Sequence, residues 1–310
     1  MHKICKMKIF LNDSGLTVST KNNETLSQVF LDLYLLSLND LIYSLGRWTA
    51  QKNLNVEKFK DIQIPLPPLS VQEEIVAKLD TALVSIEEAK AKTQQVLTAT
   101  RELWESTLEE AFRGGDSWEE KRFDEVYDVR DWTHDSPKYH TTGYPLITSK
   151  NLQPEWLSFS NIKLISEKDY QKINERSKVH KWDILFAMIG TIGNATIVEI
   201  EPEFAIKNVA LFKVPENQNN MFLKYFLSSK AIFQKMISEA KGTTQKFVGL
   251  GYLRGFPIRL PSLSEQSRIV AHLDAVRAET DQLASLYEQK LADLDELRRS
   301  VLQEAFTLSD

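Results

Sequence analysis

The sequence has few of the residues that usually form disulfides, metal sites and catalytic centres. Among its 310 residues there is one cysteine, Cys5, which excludes a disulfide framework within the chain and any metal site built on a cysteine cluster. The five histidines offer only the loosely spaced His134 and His140, which do not match a metal-ligand pattern. No Ser/His/Asp set stands out, so the residues themselves indicate no catalytic site.

Nucleotide-binding and membrane signals are also missing. Without a Gly-x-x-x-x-Gly-Lys-Ser/Thr loop, the chain is not expected to hydrolyse ATP. Residues 190–193, Gly-Thr-Ile-Gly, are too short a fragment for a nucleotide site and predict a turn between two strands. No stretch is long and apolar enough to cross a bilayer, and the first residues lack a signal-peptide pattern, so we expect a cytoplasmic protein.

What the sequence does have is an internal repeat. Residues 64–70 align with residues 258–264 without a gap, an offset of 194, and Gln72 then falls on Gln266. Two copies of one unit this far apart frame whatever lies between them as a domain.

Each copy predicts one long helix, because prolines force an extended approach and Ser70 and Ser264 can act as N-caps. Apolar and small residues then recur every 3.5 residues or so, over about six heptads. We therefore predict an antiparallel coiled coil that acts as a spacer; the alternative is a pair of amphipathic helices in a globular bundle. The expected seam or subunit-interface residues are Ile75, Leu79, Ile86, Leu103, Ile269, Leu273, Leu283 and Leu297.

The net charge of −5 is unevenly distributed. Residues 70–112 carry 4 Lys and Arg against 9 Asp and Glu, and residues 264–310 carry 5 against 10. The two predicted helices therefore hold −10, and the rest of the chain sums to +5. Mildly basic globular parts permit DNA binding without requiring it.

The repeat extends in front of both helices. Phe30-Leu31 corresponds to Phe222-Leu223, and residues 49–52 correspond to residues 243–246. Most of the sequence that precedes Phe222 in the second copy has no counterpart in the first copy. The predicted organisation is a C-terminal domain remnant (1–62), a long helix (63–113), a complete domain (114–262) and a second long helix (263–310).

The remnant predicts a strand at 12–18, a helix at 29–45 and too little core to offset its chain entropy. We expect residues 1–61, which carry apolar runs such as 29–36, to be loosely ordered or covered by another chain. The complete domain predicts an α+β fold of short strands and a helix, with a glycine-rich polar loop before the second long helix. Residues 144–152 predict a strand that leads into a polar loop, and further strands are predicted at 184–189, 195–199 and 204–214. The predicted helix lies at 221–240 and the glycine-rich loop at 242–251.

Two polar segments, 148–151 and 243–246, combine hydroxyl, amide and lysine groups, which suit base edges and phosphates. Ordinary solvated loops are the alternative interpretation. The candidate DNA-binding residues are Thr148, Ser149, Lys150, Asn151, Lys207, Asn208, Lys241, Thr243, Thr244, Gln245 and Lys246.

Residues 64–76, Ile-Pro-Leu-Pro-Pro-Leu-Ser-Val-Gln-Glu-Glu-Ile-Val, precede a long helix and recur after a variable domain. In this the chain resembles the specificity subunit of Type I restriction-modification systems. Residues 181–193 are similar to a recurring piece of that family's target recognition domains, and so are residues 49–52 and 242–246. The resemblance covers essentially the whole chain.

The resemblance implies a non-catalytic reader of double-stranded DNA, with a truncated first recognition domain. It further implies that the helices bind modification subunits, which methylate adenine with S-adenosylmethionine, and that a motor-nuclease subunit uses ATP and Mg. No cofactor is expected in this chain, and self-association could restore two recognition domains, which together would read an interrupted palindrome.

Two other functions stay open from the residues. A coiled-coil scaffold with a protein-binding α/β domain would share the long helices but would not bind DNA with a salt dependence. An autonomous DNA methyltransferase is disfavoured, because neither a cofactor-binding glycine motif nor an Asn/Asp-Pro-Pro-aromatic motif occurs.

Overall fold

The computed structural model describes residues 17–47, 53–54, 56–131, 136–190, 192–239 and 247–307. The predicted strand at 12–18 lies mostly outside this part of the chain, and the polar segment 49–52 lies wholly outside it. The chain divides into two compact units, a first formed by residues 1–99 with 283–310 and a second formed by residues 100–282. Each long helix contributes residues to both.

The first unit contains short elements followed by a long helix. They are α1 (Gln28–Ser37), α2 (Asn39–Ser44), β1 (Gly46–Arg47), β2 (Asn53–Leu54), α3 (Val56–Lys60) and α4 (Leu69–Ala111). Strands β1 and β2 form an antiparallel pair.

The second unit is a mixture of short strands and helices that ends in the second long helix. Its elements are β3 (Glu119–Arg122), α5 (Phe123–Val126), β4 (Asp128–Asp131), β5 (Tyr144–Ile147), a 3-10 helix (Ser149–Asn151), β6 (Lys163–Ile165), α6 (Glu167–Ser177), β7 (Ile184–Ala187), β8 (Ala195–Ile197), β9 (Ala205–Ile206), β10 (Val209–Lys213), α7 (Asn220–Ser228), α8 (Lys230–Glu239), α9 (Leu250–Arg254), β11 (Pro257–Leu260) and α10 (Leu263–Thr307).

Three sheets build the second unit. A four-stranded antiparallel sheet has the order β4-β10-β7-β8, and a pair joins β3 to β11. The third sheet, β6-β5-β9, pairs β5 antiparallel to β6 and parallel to β9. The main core packs around aromatic side chains that are almost fully buried, among them Phe123, Phe186, Phe212, Phe222 and Phe256.

The two long helices, predicted from the repeat, are confirmed. Helix α4 has 43 residues and α10 has 45, so each is about 65 Å long at 1.5 Å per residue. The predicted N-caps, Ser70 and Ser264, were two residues too late. The helices begin at Leu69 and Leu263, so the N-cap positions are 68 and 262. In α10 the Ser262 hydroxyl accepts the Glu265 backbone N–H at 3.3 Å, whereas Pro68 takes the equivalent position in α4.

The long helices pack against each other in opposite directions, as predicted. In the first unit the Lys90 ammonium contacts the Asp295 carboxylate at 2.6 Å, and Arg298 lies 3.6 Å from Glu87. In the second unit the Arg277 guanidinium lies 5.0 Å from the Trp104 ring centroid. Residue numbers rise along one helix as they fall along the other, which defines an antiparallel pair.

The predicted seam follows only part of each helix. Leu79, Ile86, Ile269 and Leu273 are buried and Ile75 is partly buried. The seam assignments of Leu103, Leu283 and Leu297 were wrong, since these side chains are 54%, 37% and 48% exposed. The following residues, Trp104, Ala284 and Arg298, are less exposed instead. Buried or partly buried side chains keep a seven-residue spacing at 79, 86, 93 and 100 in α4 and at 273, 280, 287 and 294 in α10. The next seam position lies four residues after Thr100, Thr280 and Leu294 rather than three, since steps of three and four residues alternate in a heptad.

Two residues of the apolar run 29–36 are covered by this chain itself, which differs from the expectation for that part of residues 1–61. Phe30 and Leu31 are 0% and 1% exposed. The Phe306 ring of α10 lies edge-on to Phe30 at 5.3 Å and to Tyr34 at 5.2 Å between ring centroids. The end of α10 therefore supplies the cover that the missing strands would otherwise give.

Equivalent contacts recur in the second unit at positions that the sequence repeat relates. The Phe112 ring, one residue past the end of α4, lies 5.2 Å from Phe222 and 5.5 Å from Phe226, again edge-on. Phe112 and Phe306 are separated by the repeat offset. Each unit thus packs a short apolar helix against the end of one long helix.

A buried glutamine fixes the start of the other long helix in each unit. The Gln72 side chain accepts the Ser27 backbone N–H at 2.9 Å and donates to the Pro67 carbonyl at 2.8 Å. Gln266 accepts the Asn219 backbone N–H at 3.0 Å and donates to the Pro261 carbonyl at 3.0 Å. Both glutamines are 0% exposed, so the repeat conserves a polar anchor inside an apolar junction.

The helices predicted at 29–45 and 221–240 are each interrupted, so the prediction of one continuous helix was wrong in both places. The chain leaves the helical conformation at Leu38 and at Ser229, where Ser229 is extended. In each case the second helix turns and packs against the first. Apolar periodicity alone does not reveal such a break, because it continues across the turn.

Candidate nucleic-acid interface

A parallel strand pair brings two predicted DNA-binding segments together. Strand β5 pairs with β9 through Leu146 with Ala205 and Ile147 with Ile206. Because the strands are parallel, their carboxyl ends meet at one edge of the sheet. Residues 148–151 follow β5 and residues 207–208 follow β9, and the Lys207 backbone N–H donates to the Ile147 carbonyl at 2.8 Å.

The segment after β5 is a closed turn held by its own side chains. The Asn151 amide oxygen accepts the Thr148 backbone N–H and the Thr148 hydroxyl, both at 3.0 Å. The Asn151 amide nitrogen donates to the Ser158 carbonyl at 3.0 Å, and the Ser149 hydroxyl donates to the Asn208 carbonyl at 3.2 Å. Ser149 and Asn151 are buried, so they position this edge rather than present polar groups at its surface.

Three predicted residues remain at the surface of this edge. Lys150 is exposed, while Lys207 and Asn208 are partly exposed. The Lys207 ammonium donates to the Ser136 hydroxyl. Asn208 has a φ of 57°, in the left-handed region that asparagine tolerates, where the chain turns from β9 into β10.

The edge continues onto the four-stranded sheet. Val209 pairs with Ala187, and the Asn194 amide donates to the Leu152 carbonyl at 2.9 Å. Phe247 forms a bridge with Ile189, and the Val248 N–H donates to the Met188 carbonyl at 2.9 Å. The candidates Lys241, Thr243, Thr244, Gln245 and Lys246 lie outside the described residues, and the chain resumes from them at this edge.

Two residues at the edge were missed by sequence reasoning. Lys163 on β6 pairs with Leu146 on β5, and the Lys163 ammonium lies 5.8 Å from the centroid of the Tyr139 ring. Tyr139 is 54% exposed. The local sequence around Tyr139 has no distinguishing pattern; only the strand pairing brings it to the edge.

At the opposite end of the four-stranded sheet, acidic and basic groups are paired. The Asp183 carboxylate accepts the Lys213 ammonium at 2.6 Å and the His180 backbone N–H at 2.6 Å. Hydrogen bonding from the Arg130 guanidinium holds the pKa of the Asp128 carboxyl below its usual value. Cations there are already matched by carboxylates, whereas Lys150 and Lys163 are exposed at the candidate edge.

The exposed side chains at the candidate edge are mainly hydrogen-bond donors. Lysine ammonium groups neutralise phosphates, and an asparagine amide can recognise a base edge. Within the described ranges, no group of three His, Cys, Asp or Glu side chains could hold a metal ion. No helix in the same ranges is long and apolar enough to span a membrane.

Known proteins resemble the chain along most of its length. It is 26% identical over 284 residues to the Type I restriction enzyme EcoBI specificity subunit of Escherichia coli, covering 82% of this chain and 60% of that protein. It is 22% identical to the EcoKI specificity subunit of Escherichia coli (strain K12), covering 86% and 61%. The chain therefore spans about 60% of the length of these two curated relatives.

Solved structures share the fold. The HsdS subunit from Thermoanaerobacter tengcongensis matches with a TM-score of 0.60 at 22% identity, covering 92% of this chain and 71% of that one. A chain from a structure of the assembly and conformational transition of the type I R-M system matches with a TM-score of 0.71, also at 22% identity, covering 92% and 72%.

The family model described as the Type I restriction modification DNA specificity domain matches residues 2–98 and 115–291, on both copies of the repeat. The chain belongs to the family of Type I restriction-modification DNA specificity domains.

Proposed function

We propose that this chain is a non-catalytic, sequence-specific DNA reader that directs adenine methylation and restriction by partner subunits. The observation that carries this proposal is the edge at which Lys150, Lys207 and Asn208 meet beyond parallel strands β5 and β9. Family membership supports it, since the relatives named above are specificity subunits of Type I restriction enzymes. We propose a cytoplasmic location for such a reader.

At this edge, different residues supply the affinity for DNA and the sequence specificity. Lys150 and Lys207 contact phosphates and supply affinity that falls as salt rises, because each contact releases counterions. Asn208 is placed to meet a base edge in a groove. Ser149 and Asn151 act behind this surface, since their internal hydrogen bonds keep the lysines and Asn208 in register.

The long helices supply the surface for partner proteins. Leu103, Leu283 and Leu297 are exposed apolar side chains on helices whose other face is occupied by the partner helix. Modification subunits would cover such leucines, and those subunits and a motor-nuclease subunit would hold S-adenosylmethionine, ATP and Mg. Exposed apolar groups of this kind favour protein association over solvent.

Self-association extends the proposal to the shape of the target. The described residues carry one edge of the kind formed by β5 and β9. Two copies related by a two-fold axis present two such edges in opposite orientation, so the paired target is an interrupted palindrome.

The first test measures duplex binding at several salt concentrations. Lys150→Ala and Lys207→Ala should each lower the slope of log affinity against log salt by about 1, because each removes one phosphate contact. Lys246→Ala should do the same for the predicted loop. Lys78→Ala is the matched control, since it removes the same charge from an exposed i,i+4 helix pair with Glu74 in the first unit. Unchanged slopes in all three variants would favour the protein-binding scaffold.

The second test is co-expression with the modification subunit, followed by sequencing for N6-methyladenine. An interrupted, sequence-specific methylation motif is expected, and a palindromic one if two copies pair. An absence of methylation with an assembled complex would contradict the DNA-reading function. An asymmetric motif, with unrelated sequences on its two sides, would contradict self-association and assign DNA reading to the first unit as well.

A further inference from the structure

Residues 136–140 are held at the candidate edge by lysines from two different strands. The Lys207 ammonium donates to the Ser136 hydroxyl, and the Lys163 ammonium lies 5.8 Å from the Tyr139 ring centroid. The His140 backbone N–H donates to the Leu164 carbonyl at 2.9 Å. This segment is therefore fixed to the three-stranded sheet although it is outside its named strands.

The two lysines flank β5 on the same face of the sheet. Lys163 is opposite Leu146, Leu146 pairs with Ala205, and Lys207 follows two residues after Ala205. Side chains two residues apart along a strand share a face. Strands are about 4.8 Å apart and rise about 3.3 Å per residue, so two strand spacings and two residues separate the lysine backbones by about 12 Å, which is comparable to the width of the DNA major groove.

Tyr139 does not fill the core beside this sheet. That role belongs to Tyr144 and Tyr170, whose rings stack with centroids 4.0 Å apart in a small buried cluster. Tyr139 is 54% exposed and has a cation beside its ring. An exposed aromatic side chain with a polar tip, set among lysines, is suited to a ligand that offers both negative charge and flat apolar surface.

We infer that Tyr139 is a base-contacting residue that enters a DNA groove beside the phosphates bound by Lys163 and Lys207. Its hydroxyl group can donate to or accept from a base edge, while its ring packs against apolar base atoms. Lys163 has a different role, because it contacts phosphate and carries no sequence information. This inference rests on the proposed function and adds a specificity-determining residue to the same surface.

The test uses the full chain with its modification subunit and two probes of equal length, a duplex carrying the wild-type methylation motif and a scrambled duplex. Tyr139→Ala should lower the ratio of the two affinities by about 10-fold or more and leave the salt slope unchanged. Lys163→Gln should weaken binding to both duplexes alike and lower the slope by about 1. Tyr43→Ala removes an equally exposed tyrosine from the first unit and is the matched control.

Tyr139→Phe separates the hydroxyl group from the ring. Partial loss of discrimination assigns a hydrogen bond to the phenol, and full retention assigns the contact to the ring; both support the inference if Tyr139→Ala loses discrimination. Discrimination within twofold of wild type in Tyr139→Ala overturns the inference, as does equal weakening on both duplexes. If the wild-type complex itself binds the two duplexes equally and without salt dependence, the proposed function fails instead.

Discussion

The two units contain the same helix junction, but among the described residues only the second adds the three-stranded sheet β6-β5-β9 and the four-stranded sheet β4-β10-β7-β8. In each unit a short apolar helix packs against a phenylalanine near the end of one long helix, and a buried glutamine fixes it to the start of the other. The junction therefore forms with or without these two sheets, so its two copies can be compared directly.

The largest effect is expected from a charge placed in the buried helix seam of either unit. Leu79→Asp in the first unit and Leu273→Asp in the second should each lower the free energy of unfolding by about 4 kcal/mol, because an unpaired carboxylate would replace a buried side chain. Urea denaturation measures this loss. Binding of modification subunits should be abolished in the double variant.

Leu297→Asp and Leu103→Asp are the controls for the seam, since these leucines are exposed and should change stability by less than about 0.5 kcal/mol. A folded Leu79→Asp/Leu273→Asp protein that assembles normally would show that the paired helices do not form the partner-binding frame.

A smaller effect is expected from the two glutamine anchors. Gln72→Met and Gln266→Met keep the approximate side-chain volume but leave the Ser27 or Asn219 backbone N–H without its partner. Each should lower the free energy of unfolding by about 1–3 kcal/mol. Urea denaturation of the two single variants and the double variant would compare the junctions. A loss confined to Gln266→Met would show that the first junction no longer stabilises the protein.

The smallest effect concerns acid stability, which compares one carboxylate from each unit. Hydrogen bonds from Arg130 to Asp128 and from Lys90 to Asp295 hold the pKa values of both carboxyls below their usual range. The folded-state pKa is lower than the unfolded one of about 3.9, so this stabilisation is present above pH ~4 and is lost as pH falls through the lower folded value.

Asp128→Asn and Asp295→Asn should therefore flatten the fall in stability below pH 4 without changing its pH dependence between pH 6 and 8. Thermal unfolding across this pH range measures the effect, which solvent screening at these exposed sites keeps small. A stronger acid dependence in either variant would contradict the assigned pairing.

The helices and the repeat could be predicted because their signals are local. The proline-rich approach, the apolar spacing and the aligned Gln72 and Gln266 can all be read from neighbouring residues. Leu103, Leu283 and Leu297 were misassigned because a step of three residues was placed after Thr100, Thr280 and Leu294, where the packed helices take a step of four. Steps of three and four alternate in a heptad, and the facing helix decides which one comes first.

The candidate site needed the strand pairing. Residue type pointed to 148–151 and to Lys207 with Asn208, but nothing local says that the two segments meet, because a parallel pairing of β5 with β9 joins positions about 60 residues apart. Packing at this edge buried Ser149 and Asn151, and a separate bridge between His140 and Leu164 of β6 brought Tyr139 to Lys163. Polar composition cannot distinguish a residue that holds a loop from one that faces a ligand.

By itself the sequence determined the repeated long helices, the acidic character of those helices, and the family, since each depends on spacing along the chain. The tertiary structure alone decided which face of each helix is buried and where α1 finds its cover. It also decided which polar groups share an edge. Those outcomes depend on contacts between distant residues, and hydrogen bonding and burial there are settled by three-dimensional packing rather than by neighbours in sequence.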